Sequence, residues 1–132
     1  MKNNKYPNWL VSFEIAKQLK EIGFKEKCLC YWHEHFHRIE CSTDDEDRLC
    51  PEYYDYNTDE STTSLPTWEQ VFEWFREKGL YSFLRVNIPD LSVSYFIYDK
   101  DGYIEENGHR STYEDAKNDC VKELIKIYKE NE

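Results

Sequence analysis

Leu65-Pro66-Thr67-Trp68-Glu69-Gln70-Val71-Phe72-Glu73-Trp74-Phe75-Arg76-Glu77-Lys78-Gly79-Leu80 reads as one complete helix with both ends marked. Thr67 suits the N-cap, and Gln70 three residues on completes a capping box, so two orphan backbone donors find partners. Trp68, Val71, Phe72 and Phe75 recur at i, i+3, i+4 and i+7, one face of a helix. Gly79 can take the left-handed C′ position, and Leu80 can then fold back on Phe75. So much aromatic surface on one short helix needs a cover, and a sheet is the expected one.

Outward from this stretch, the same terminator recurs. Ser12 caps a helix over Phe13 to Ile22 with a buried stripe of Ile15, Ala16, Leu19 and Ile22; Gly23 stops it and Phe24 folds onto Leu19. Cys28 to Cys41 alternates as a strand or hairpin arm, with Leu29, Tyr31, His33, His35 and His37 on one side. On the other side of the central helix, Tyr81 to Ile88 and Val93 to Tyr98 read as strands around a Pro89-Asp90 turn. Asp99-Lys100-Asp101-Gly102 is a hairpin signal, Tyr103 to Glu106 a short strand, and Asn107-Gly108 a further turn. Ser111, with Glu114 at N3, caps a last helix whose apolar positions are Ala116, Cys120, Val121, Leu124, Ile125, Ile127 and Tyr128. Short turns between strands mean antiparallel pairing. The expectation is a single α+β domain over 1–132, three helices packed on a three- to four-stranded, mainly antiparallel sheet.

From Glu40 to Glu60 the composition changes. Nine acids stand against the single Arg48, which is −8 of the chain's net −10. Like charges at this density resist packing, so an acidic loop or hairpin insertion is expected at about 40–64, with Ser61 to Ser64 a polar linker. Acids with interspersed tyrosines suit a basic protein surface, and Asp44, Asp45, Glu46, Asp47, Tyr53, Tyr54, Asp55 and Tyr56 are the candidate partner-binding residues. The balance opposes direct nucleic-acid binding and an anionic membrane surface, which want clustered Lys and Arg. No apolar run approaches a membrane span and no secretory h-region follows the N-terminus. The five cysteines are therefore expected as reduced thiols in a cytoplasm. With 17 % aromatic residues, the chain has ample material for a core.

Three imidazoles at His33, His35 and His37 would project from one side of an unbroken strand. Zinc or another transition metal accepts imidazole, and Cys41 or Cys50 could add a thiolate, though no known zinc spacing is matched. Cys28 and Cys30 would share a strand face as small core residues, and Cys120 lies on a helix's apolar stripe. There is no Gly-rich phosphate loop, no G-x-S-x-G and no H-E-x-x-H, and His109 stands by itself in a turn. The expectation is a non-enzymatic protein without a required cofactor. A small nucleotide-like ligand is the alternative, held on faces such as Trp68, Trp74, Tyr95 and Tyr98 if Arg76, Arg85 or Arg110 line the pocket.

The frame Ser12-Phe13-Glu14-Ile15-Ala16-Lys17-Gln18-Leu19-Lys20-Glu21-Ile22-Gly23-Phe24, then Pro66-Thr67 with Trp74-Phe75-Arg76-Glu77-Lys78, then Tyr113-Glu114-Asp115-Ala116, resembles a family of small acidic proteins encoded by phages, prophages and mobile elements of gut Bacteroidetes. The similarity spans most of the chain except roughly Glu34 to Ser64. That family has no established activity, so the resemblance implies no catalytic residue. What it implies is a phage or mobile-element accessory protein working in a bacterial cytoplasm; the expected function in that context is binding a protein partner, with a regulatory or counter-defence role.

Overall fold

The computed structural model describes residues 6–41 and 55–131, and for 105–109 the backbone alone. In chain order the elements are α1 (Phe13–Glu21), β1 (Cys30–His33), β2 (Arg38–Cys41), a 3-10 turn (Tyr56–Thr58), β3 (Thr62–Leu65), α2 (Trp68–Glu77), β4 (Tyr81–Val86), β5 (Val93–Asp99), β6 (Gly102–Arg110) and α3 (Tyr113–Glu130). The class is α+β. In place of one sheet there are two three-stranded antiparallel sheets, ordered β2-β1-β3 and β4-β5-β6. The chain gathers into two compact units, residues 1–68 and 69–132, with one sheet in each.

The first unit is built by α1 and the first sheet. Ser12 caps α1 through its side chain, which accepts from the Ile15 N–H. Gly23, at φ 96°, reverses the chain so that the Phe24 N–H reaches the Leu19 carbonyl at 3.0 Å. Phe13 of α1 stacks on Trp32 of β1 at 4.7 Å, placing α1 over the face that carries Cys30, Trp32 and, by register, Ile39, Cys41, Thr63 and Leu65. β3 corrects the reading of 61–64 as a linker. Its short polar side chains are buried, Thr63 at 3 % and Ser64 at 1 % exposed. Ser64 is tolerated because it is bonded, its Oγ accepting from the Tyr56 N–H, and the hydroxyl of the half-buried Thr62 donates to the Tyr56 carbonyl. Trp68, at the end of this unit, donates its indole N–H to the Asn8 carbonyl.

In the second unit, α2 ends as the sequence implies, with Gly79 at φ 87° and the Leu80 N–H bonded to the Phe75 carbonyl at 2.9 Å. Its buried residues are Val71, Trp74 and Phe75, so Trp74 takes the core place expected of Phe72, and the Trp74 and Phe75 rings both meet Tyr128 of α3. The N-cap of α3 is Thr112, one residue beyond the expected Ser111; its hydroxyl accepts from the Asp115 N–H. β6 runs on through Asn107-Gly108 to Arg110, where a turn was expected, with register shifts opposite Val93/Tyr95 and Ile97/Tyr98. α3 packs on this sheet, chiefly on β5, and Arg110 at the end of β6 is ion-paired to Asp119 of α3. A Ser82–Cys120 hydrogen bond identifies the covered face as that of Ser82, Leu84, Val93, Tyr95 and Ile97. No helix among the described residues is long and apolar enough to cross a membrane.

Candidate functional site

The face of the second sheet turned away from α3 follows from register. Tyr81 pairs with Tyr98, Phe83 with Phe96 and Arg85 with Ser94 across β4–β5; Tyr98 pairs with Tyr103 across β5–β6. Directly opposed residues share a face, so one surface collects Tyr81, Phe83, Arg85, Phe96, Tyr98 and Tyr103. The rings are mutually ordered. Phe83 is stacked on Phe96 (4.7 Å, 18°) and near-parallel to Tyr98 (5.8 Å, 15°), and Tyr98 meets Tyr103 edge-on at 5.8 Å. The Arg85 guanidinium lies over the Phe96 ring, 4.9 Å from its centroid.

Phe96 is the floor of this array, 7 % exposed, whereas Tyr81, Phe83 and Tyr103 are 46 %, 45 % and 52 % exposed. Half-exposed aromatic rings on a pleated sheet offer flat π faces held at low entropy cost. Such faces attract apolar, planar or cationic groups. At one end the platform meets the β5–β6 turn with Asp99 and Asp101, where the Asp101 N–H donates to Asp99 Oδ1. At the other end lies the 87–92 loop. Its exposed Ile88 and Leu91 are carried on a turn tied by Asn87, which bonds the Ser92 and Ser94 hydroxyls through Nδ2. Ser92 in turn donates twice to Asp90 Oδ1.

The His33 and His35 rings lie together, centroids 5.7 Å apart, but His37 does not join them as an unbroken strand would have placed it. β1 ends at His33 and β2 begins at Arg38, so His35 and His37 belong to the turn between them. His37, at φ 50°, closes that turn through its N–H to the His33 carbonyl at 2.8 Å. His33 Nδ1 accepts from the His35 N–H, and the His33 ring lies against Phe36 at 4.5 Å. The His37 ring lies by Trp32, whose side chain leaves β1 on the side opposite His33. Cys41 is taken as well: it is disulfide-bonded to Cys30, its direct cross-strand neighbour. That corrects the expectation of reduced thiols at these two positions and removes the thiol argument for a reducing compartment. Cys50 lies outside the described residues. Cys28 and Cys120 are free and buried, and burial pushes both thiols up to about 12. No group of three or more His, Cys, Asp or Glu side chains among the described residues could hold a metal ion.

Of the acidic candidates, Asp44, Asp45, Glu46, Asp47, Tyr53 and Tyr54 lie outside the described residues. Asp55 caps the 3-10 turn by accepting from the Asn57 N–H, and Tyr56 stacks on Tyr31 at 4.0 Å. Tyr31 donates to Glu40 at 2.7 Å, and Arg38 donates to the other Glu40 oxygen, so these two bonds hold the Glu40 carboxyl below its ordinary range. Among the rings proposed for a flat ligand, Trp74 and Tyr95 are buried, and Tyr98 is the member that belongs to the aromatic platform. The signal that could have found the platform was present: Ser94, Phe96 and Tyr98 alternate on β5, and Tyr81, Phe83 and Arg85 alternate on β4. Comparison with protein-family models, curated proteins and solved structures returns no match to this chain.

Proposed function

We propose that this chain is a non-enzymatic binding protein that lays a basic segment of a protein partner on the open aromatic face of its second sheet. The observation that carries the reading is the set of half-exposed, mutually ordered rings Tyr81, Phe83 and Tyr103. A net charge of −10 favours a cationic partner and repels an anionic one. The acids of residues 40–60 supply long-range attraction in this scheme, and the rings supply contact. The phage or mobile-element setting, with its regulatory or counter-defence role, belongs to the same proposal and rests on the resemblance. A small planar ligand is the second reading, favoured by the Arg85 guanidinium beside the stacked rings. A metal held by all three of His33, His35 and His37 gains no support from the placement of the His37 ring, which lies by Trp32.

The test is an NMR titration with a short Arg/Lys-rich peptide and with its Asp/Glu counterpart. The basic peptide should shift the signals of Tyr81, Phe83, Tyr98 and Tyr103, Phe83→Ser should weaken it, and added salt should weaken it further. Shifts confined to residues 40–60 would move the site to the acidic segment, and the absence of any shift would overturn the proposal.

A further inference from the structure

The second sheet also has an open edge. Edge strands present a row of unpaired N–H and C=O groups, and proteins blunt them with short length, charge, proline, bulges or cover. Three of the four edges among the described residues show such devices. β2 is four residues long and carries Arg38 and Glu40. β3 is equally short, precedes Pro66, and has its outer groups bonded: the Thr62 carbonyl accepts from Lys20 Nζ at 2.7 Å and the Ser64 N–H donates to Asn57 Oδ1 at 2.8 Å. β6 is broken by two register shifts.

β4 has only one of these, the single charge of Arg85. Tyr81-Ser82-Phe83-Leu84-Arg85-Val86 is six residues long, three of them (Tyr81, Phe83 and Val86) of high β propensity, and is paired to β5 without a shift. Which groups point outward follows from the ladder. The Asn87 N–H bonds the Ser92 carbonyl at 2.7 Å, so 87/92 is a hydrogen-bonded pair. Alternation then makes 85/94, 83/96 and 81/98 hydrogen-bonded pairs too, and leaves the backbone groups of Ser82, Leu84 and Val86 facing away from β5. No backbone hydrogen bond among the described residues takes them.

We propose that β4 pairs with β4 of a second copy of this chain, antiparallel about a two-fold axis at Leu84, making one continuous six-stranded sheet. The occupant follows from complementarity. Only the register centred on Leu84 uses all three outward residues, setting Leu84 opposite Leu84 of the second copy and Ser82 opposite its Val86. In that register Phe83 stands opposite Arg85 of the second copy in the closer, non-hydrogen-bonded type of pair, a cation–π contact formed twice by symmetry. The strand's neighbourhood also lacks the acidity of the rest of the chain: between Leu80 and Tyr98 the charged residues are Arg85 and Asp90, which cancel. This inference rests on the unpaired edge; it shares Phe83 and Arg85 with the aromatic face but needs no ligand bound there.

Sedimentation velocity on the full chain over a concentration series tests it, with circular dichroism on every variant. Wild type should show a species of twice the single-chain mass. Val86→Pro removes an outward donor that β5 does not use, and Val86→Lys places a charge on the edge; Val86 is 47 % exposed and its side chain lies on the face opposite Phe83, so neither touches the aromatic platform. Both should be folded and monomeric; if the proline disturbs the fold, the lysine variant decides. Register is read by oxidising a mixture of Phe83→Cys and Arg85→Cys chains, which should cross-link to each other and not to themselves. A monomeric wild type at every concentration, a dimer that survives both Val86 changes, or self-linking of either cysteine variant would overturn the proposal.

Discussion

Reduction of the Cys30–Cys41 bridge should cost the first unit a defined amount of stability. The two cysteines are 11 residues apart. Closing a loop of that length removes denatured-chain entropy worth about 2.8 kcal/mol at room temperature. The temperature shift this produces depends on what unfolds with it. If residues 1–68 unfold as their own unit, an unfolding entropy of about 2.1 cal/mol/K per residue turns that loss into about 20 °C; if all 132 residues melt together, the same loss gives about 10 °C. The assay is thermal melting with and without a phosphine reductant, followed by tryptophan fluorescence, since Trp9, Trp32 and Trp68 lie in the first unit and Trp74 in the second. The bridge itself is checked by non-reducing tryptic mapping. Cleavage after Lys27, Arg38 and Arg48 should yield residues 28–38 joined to 39–48. A melting temperature indifferent to reductant, or unlinked peptides from protein purified without reductant, would refute the reasoning.

Leu124→Ala, at a fully buried position of α3, should cost about 3–4 kcal/mol in urea unfolding by transfer plus cavity terms. Cys28 and Cys120 should resist alkylation in the native protein at mildly alkaline pH and react on unfolding, as read by intact mass. Because burial lifts both thiols from an ordinary 9.0 to about 12, the folded state keeps protons that the unfolded chain releases, so stability should fall as pH rises from about 9 toward 12. Glu40 has the opposite sign: bonds from Tyr31 and Arg38 lower its carboxyl, so their contribution is present above the ordinary 4.5 and is lost as pH falls through the lowered value. Glu40→Gln should flatten the acid limb of stability against pH.

The sequence was most legible where a local rule is strict. Ser12, Gly23 and Gly79 mark helix ends by hydrogen bonding and positive φ alone, and the structure places those ends at Phe13, Glu21 and Glu77. The alternation of Val93, Tyr95 and Ile97 against Ser94, Phe96 and Tyr98 also survives as two faces, because period two is intrinsic to a pleated strand. Where partners decide, the reading failed. β3 looks like a linker since its Thr and Ser become strand residues only once Tyr56, Asn57 and Lys20 satisfy them. The alternation from Cys28 to Cys41 conceals a turn at Glu34–His37, because polar and aromatic residues happen to continue the period through it. Asn107-Gly108 has strong turn chemistry and is drawn into β6 by pairing with β5. Whether six strands make one sheet or two is a question of long-range pairing that no local pattern answers. Likewise, the cross-strand position of Cys30 and Cys41 becomes visible only with the register.

The two sheets are made alike and finished differently, and the proposed function rests on that difference. Each has a helix on one face: α1 through Phe13 on Trp32, α3 through Cys120 on Ser82. On the first sheet the chain itself occupies the second face, with Tyr56 stacked on Tyr31 and its N–H bonded to Oγ of Ser64, the cross-strand neighbour of Tyr31. Its aromatic surface is therefore already spent on folding. On the second sheet the corresponding rings are ordered against one another yet left half in water. Covering the exposed part of a ring like Phe83 is worth on the order of 1 kcal/mol, and several such rings on one rigid face, beside an edge with three residues' backbone groups unpaired, are more than this chain's own stability requires. An aromatic platform that served folding alone would be closed as the first sheet is closed; under the proposed function this one stays open for a partner.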